Sequence, residues 1–82
     1  MARLYFPFEV AEKAGKKSLA LDAPDIETLL QKGSAETGAD LLDASKRCAI
    51  LVNGRNIWYL KGFSTPLKPE DEVWFVAISS GG

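Results

Sequence analysis

Residues 73–82 read Val73-Trp74-Phe75-Val76-Ala77-Ile78-Ser79-Ser80-Gly81-Gly82. The first six are apolar in succession, the pattern of a strand covered on both faces, and four small residues without an anchoring side chain follow. Side chains alternate along a strand. If Val73, Phe75 and Ala77 face a helix, then Trp74, Val76 and Ile78 face the other way, because one helix covers only one side of a sheet. The strip Trp74, Val76 and Ile78 therefore reads as a docking surface for a partner protein, the alternative being ordinary core beneath a loop.

Upstream of this strand, Glu70-Asp71-Glu72 is an acidic cluster, either a solvated turn or a contact for a partner's arginines. Thr65-Pro66-Leu67-Lys68-Pro69 is too rich in proline for a regular strand. Before that, Cys48–Val52 is an apolar run ending in Asn53-Gly54, the dipeptide suited to a tight hairpin turn, and Ile57–Leu60 reads as the returning strand. Neighbours in a strand face opposite ways, so at least one of Trp58 and Tyr59 is expected in the core. Cys48 has no base beside it and reads as an inert, packed thiol.

In the first half, Ile26, Leu29 and Leu30 recur at helical spacing behind Asp25, a good N-cap. Gly33 is expected to end or weaken that helix, and Ala39–Ser45 reads as a second short one. Leu4, Phe6 and Phe8 alternate with Tyr5, Pro7 and Glu9, which predicts a strand over residues 3–10. It returns through Ser18–Asp22 as an antiparallel hairpin with a long turn carrying Lys13, Lys16 and Lys17, either solvated charges or a contact for an acidic partner. The order predicts an α+β domain: a mixed sheet of four to five strands packed on one main helix, with the last strand central.

The chain has 82 residues, 46% hydrophobic, with 10 basic against 11 acidic side chains and no histidine. Folding at this length hides roughly 60–68% of the unfolded surface, enough for one core and too little to wall off a deep active site, so an enzyme acting alone is not expected. Without histidine, and with Cys48 as the single cysteine, catalytic triads, zinc ribbons and disulfide frameworks are excluded. No catalytic residue and no metal ligand is assigned. A net charge of −1 at pH 7 supplies no basic field for nucleic acid. No apolar run approaches the roughly 18–20 residues of a membrane span, and Met1-Ala2-Arg3 does not open a signal peptide, so a cytoplasmic protein is expected.

The strand order, Ile50-Leu51-Val52-Asn53-Gly54-Arg55, the Thr65-Pro66-Leu67 turn, Asp71-Glu72-Val73 and the closing Gly81-Gly82 together resemble the ubiquitin-like sulfur carriers of the MoaD/ThiS type. The likeness spans nearly the whole chain. It is greatest to the small subunit of molybdopterin synthase, where "VNG", "TPL", "GDEV" and a final "GG" occur in this order; the thiamine-thiazole sulfur carrier is a more distant relative. Glu70 stands where the family has the glycine of "GDEV", and Ala77-Ile78 replace two prolines before the tail, which prolongs the strand instead of stiffening its exit.

This resemblance implies a β-grasp (ubiquitin-like) domain over residues 1–78 and a flexible tail over 79–82. It implies that a ubiquitin-activating-type adenylating enzyme uses ATP to activate the carboxylate of Gly82, after which a sulfur donor protein converts it to a thiocarboxylate. Gly82 is then the acyl carrier, while Ser79, Ser80 and Gly81 thread a partner's active site; extended, the tail reaches roughly 13–14 Å. The acceptor would be the larger molybdopterin synthase subunit, and the carrier itself would bind no cofactor. The alternatives are a carrier for thiamine or another sulfur-containing metabolite, a ubiquitin-like protein modifier, and an adaptor domain with an unused tail.

Overall fold

The computed structural model describes residues 1–77. Strand β1 (Ala2–Tyr5) buries Ala2 and Leu4 and exposes Arg3. The alternation stops there. Pro7 has its φ fixed at −59° and no N–H to give a neighbouring strand, so it becomes the N-cap of helix α1 (Phe8–Ala14). The expected strand over 3–10 is thereby corrected to four residues, and the long turn of the hairpin to a helix. Val10, Ala11 and Ala14 form the helix's inner face, and Gly15 at φ 72° ends it, its N–H donating to the carbonyl of Ala11. Strand β2 (Ser18–Leu21) then pairs antiparallel with β1, from Ala2 opposite Leu21 to Tyr5 opposite Ser18, as the hairpin requires.

Helix α2 (Ile26–Thr37) begins where the Asp25 carboxylate accepts the Thr28 N–H at 2.9 Å. Ile26, Leu29 and Leu30 are fully buried. The helix does not end at Gly33, as the glycine suggested, but continues to a left-handed Gly38 at φ 78°. Gly33 is there for clearance: a Cβ on it would stand 2.7 Å from Leu41 Cδ1 and 2.8 Å from Leu4 Cδ2. The helix thus gives up about 0.5–1 kcal/mol of propensity to lie close to β1 and to the short helix α3 (Leu41–Ala44).

Strand β3 (Cys48–Val52) turns through Asn53 and Gly54, both at positive φ, into β4 (Arg55–Asn56). The expected return strand over Ile57–Leu60 is replaced after Asn56 by a 3-10 turn, Ile57–Tyr59, because the Asn56 side chain accepts the Trp58 N–H at 2.9 Å and draws the backbone out of the ladder. Ile57 takes the inward position, and Trp58 and Tyr59 both lie outside, against the expectation that one is core. A second 3-10 turn, Gly62–Ser64, leads to Thr65-Pro66-Leu67. That motif clips onto the start of α2: Thr65 accepts the Ile26 N–H, and the Leu67 N–H donates to Pro24.

Strand β5 (Glu72–Ala77) closes a five-stranded sheet in the order β2-β1-β5-β3-β4. It is parallel to β1 and antiparallel to β3, so the last strand is central and the sheet is mixed. With α2 as the main helix over one face, the architecture is the β-grasp.

Candidate docking face and tail exit

Strand β5, which contains the last described residues, lies at the centre of the sheet. Val73 and Phe75 point into the core, while Trp74 and Val76 are each 41% exposed on the opposite face. Ala77, on the side of Val73 and Phe75 by alternation, is exposed at the end of the strand and borders a groove with Val10 and Ala44. Ile78, the third member of the expected strip, and the tail residues Ser79, Ser80, Gly81 and Gly82 lie outside the described residues.

Register assembles the outer face. Trp74 sits between Tyr5 on β1 and Leu51 on β3, and Val76 is opposite Ala49. The Tyr5 and Trp74 rings stack nearly parallel with centroids 3.7 Å apart. Beyond the end of β1, Phe8 opens α1 and is 76% exposed. Open grooves lie on both sides of it. One, of about 690 Å³, runs between Tyr5, Phe8, Trp74 and the lysines Lys16 and Lys17. The other, of about 500 Å³, is bordered by Phe8, Val10, Arg47, Cys48 and Ala77, so the last described residue of β5 opens into it.

Sequence reasoning placed Trp74 and Val76 on this exposed face and did not place Tyr5 and Phe8 beside them. A signal was present: Pro7 followed by Val10, Ala11 and Ala14 at helical spacing marks a helix start, and it competed with the period-2 reading of Leu4, Phe6 and Phe8.

One ion pair lies beside Cys48. Arg47 pairs with Asp43 at 2.8 Å, and that hydrogen bond holds the carboxyl below the usual range and raises the guanidinium. Cys48, opposite Ala77 in the ladder, has its thiol pushed up by burial. The charge of Arg47 beside it acts in the other direction and is outweighed. The thiol is therefore held protonated at neutral pH. Among the described residues no group of three or more histidine, cysteine, aspartate or glutamate side chains is placed to hold a metal ion. No helix among them is long and apolar enough to cross a membrane. The face offers aromatic contact area beside the last described residues of β5, an arrangement suited to binding a partner.

The chain is similar to known proteins. The ThiS family model matches residues 4–82. The structure of small archaeal modifier protein 1 (SAMP1) from Methanosarcina acetivorans is similar at a TM-score of 0.77 and 24% identity, with 99% of this chain and 95% of that one covered. A chain of the BexX/CysO complex of Amycolatopsis orientalis is similar at a TM-score of 0.83 and 13% identity, with both chains covered completely. The HVO 2177 protein of Haloferax volcanii reaches a TM-score of 0.71 at 27% identity, over 99% of this chain and 85% of that one. A comparison with curated proteins finds no match.

Proposed function

Because the chain belongs to the ThiS family of ubiquitin-like carriers, we propose that it carries sulfur as a thiocarboxylate on Gly82 and performs no reaction with its own side chains. The observation that carries this reading is the family match extending through Gly82, on a chain whose central strand leaves the sheet beside an exposed aromatic face.

A terminal carboxylate is an anion at neutral pH and a poor acyl donor. Activation by an adenylating enzyme proceeds by attack of the Gly82 carboxylate on the α-phosphorus of ATP, releasing pyrophosphate and leaving an acyl adenylate. Hydrosulfide released by the donor protein then attacks the acyl carbon, forming the C–S bond and expelling AMP, and loss of its proton leaves the thiocarboxylate. Paired glycines suit the passage, since a backbone without Cβ enters a narrow channel and leaves its acyl carbon unhindered. Affinity for each partner comes from Tyr5, Phe8, Trp74 and Val76, a contact area small enough to permit transfer between enzymes.

The proposed acceptor is the larger subunit of a molybdopterin synthase, serving a molybdenum or tungsten cofactor; supply of sulfur for thiamine or another metabolite uses the same chemistry. A second reading, conjugation of the same activated Gly82 to a lysine amine, draws support from the likeness to a protein named as a modifier. Intact-mass measurement after incubation with an adenylating enzyme, ATP and a sulfur donor separates them. The carrier reading expects a gain equal to the difference between sulfur and oxygen, abolished by deleting Gly82. A ladder of Gly82-dependent conjugates establishes the modifier instead, and an unchanged mass with no conjugates overturns both.

A further inference from the structure

A second concave surface lies at the Glu72 end of β5, away from Ala77. The β3–β4 turn is bolted to the start of β5 there. The backbone and side chain of Asn53 bracket Glu72, its Nδ2 donates to Asp71 at 2.9 Å, and the other Asp71 oxygen accepts the Lys68 N–H at 2.8 Å. The groove beside this lock, about 520 Å³, has Val52, Leu60 and Pro66 in its lining and Arg55, Lys61 and Lys68 around it. Asp71 is the one carboxylate in its lining, and both its oxygens are already engaged. Among the described residues none of the three cations enters an ion pair.

Behind the lining residues Lys61 and Thr65, the turn at Gly62 carries an aromatic side chain. Trp58 is 66% and Tyr59 88% exposed, yet Trp58 is held in place. Its ring lies over Gly62, where a Cβ would stand 2.8 Å away, and meets Phe63 edge-on at 5.4 Å. Thr65 fixes the same turn by donating its hydroxyl to the Gly62 carbonyl and accepting the Lys61 N–H. A surface ordered before binding avoids part of the entropic cost of association.

We propose that this groove binds a short acidic segment of a partner protein, its carboxylates over Arg55, Lys61 and Lys68 and an apolar side chain against Val52, Leu60 and Pro66. The charge balance selects that occupant: an apolar floor alone would take any hydrophobic chain, while three unpaired cations around it favour one with carboxylates at intervals. The site is a strand's length from the tail exit, roughly 20 Å for six residues at ~3.3 Å each. A partner can therefore hold the domain here while residues 79–82 are engaged elsewhere. The proposal does not depend on what Gly82 carries.

The test titrates the isotope-labelled full chain with a blocked hexapeptide of alternating glutamate and leucine, followed by amide and indole resonances. Saturable shifts are expected at the Trp58 indole and at Arg55 and Lys61, with Trp74 unmoved. Lys61→Glu combined with Lys68→Glu should weaken binding by about fivefold or more, the scale of losing and reversing exposed ion pairs. Arg55→Gln, which leaves the Asn53–Asp71 lock intact, supplies the same reading if the double variant fails to fold. Equal affinity for a glutamine–leucine peptide, shifts at Trp74 in place of Trp58, no shift at millimolar peptide, or tighter binding of a thymidine hexanucleotide would each overturn it.

Discussion

The indole of Trp74 lies flat on the ring of Tyr5, with centroids 3.7 Å apart and planes 4° from parallel. The two residues are opposite one another in the parallel β1–β5 pair, so the first and last strands of the chain share one aromatic plate on the uncovered side of the sheet. Stacking of this kind contributes about 0.5–1.5 kcal/mol beyond area burial. The plate is half open to solvent, which makes it a contact surface more than a core element.

Trp74→Glu and Val76→Glu should therefore leave the protein folded while disabling docking. A single cooperative urea transition is expected for both, with a small loss of midpoint for Trp74→Glu as the stack is removed. Affinity for the adenylating enzyme should fall about tenfold or more, as for truncation of an aromatic anchor at an interface. Titration by calorimetry checks it, and unchanged affinity would remove this face from the interface. Phe8→Ser extends the test to a residue invisible to period-2 reading: with 76% of its surface exposed it should cost little stability and should weaken the same complex.

Gly33→Ala makes the opposite prediction, a loss of stability without any surface change. Alanine is the better helix former, so propensity alone predicts a gain of about 0.5–1 kcal/mol. The new methyl would stand within 2.8 Å of side-chain carbons of both Leu4 and Leu41, which are fully buried and have little room to yield. Overpacking of this kind costs about 1–3 kcal/mol and should dominate. A urea midpoint at or above that of the unaltered protein would refute the packing account of this glycine.

Gly33 also shows where the sequence stops being informative. Asp25 with Ile26, Leu29 and Leu30 specified a helix start through local chemistry, and six apolar residues from Val73 specified a central strand through the need to cover both faces. Whether a glycine ends a helix or makes room in it depends on Leu4 and Leu41, which lie far away in sequence. The return strand failed for a related reason: Asn56 captures the Trp58 N–H, and one side-chain hydrogen bond outweighs the strand preference of Ile57-Trp58-Tyr59. At the candidate site, alternation placed Trp74 and Val76 on one face, but Tyr5 joins them only through strand register. Ile78 and the closing Gly81-Gly82, to which the family resemblance gives the chemistry, lie outside the described residues.

Acid should act on the fold through Asp25. Its carboxyl is held below the usual range, first by the backbone N–H of Thr28. A group with a depressed folded pKa contributes stability that is present above its unfolded pKa and is lost as pH falls through the folded value. Stability should thus decline below the ordinary carboxylate range. Asp25→Asn keeps an acceptor at the N-cap but cannot titrate, so it should flatten part of that decline in urea midpoints measured across acidic pH. A variant with an unchanged pH profile would show that the cap is not a source of the acid sensitivity.

Cys48 tests whether sulfur travels on the chain end or on a side chain. It pairs with Ala77 in the ladder, close to where the tail begins, and would be the obvious candidate for a persulfide or thioester relay. Its environment opposes that role: burial raises the thiol's pKa, and the charge of Arg47 does not compensate. Since the neutral form is the one favoured by folding, stability should fall as pH rises past the ordinary thiol range, and alkylation by iodoacetamide near neutral pH should be slower in the folded protein than in urea. Cys48→Ser should leave the rate of thiocarboxylate formation unchanged, because in the proposed route the sulfur nucleophile comes from another protein and attacks the acyl carbon of Gly82 directly. A large loss of loading in that variant, with the urea transition preserved, would place Cys48 on the transfer route and overturn the assignment of an inert thiol.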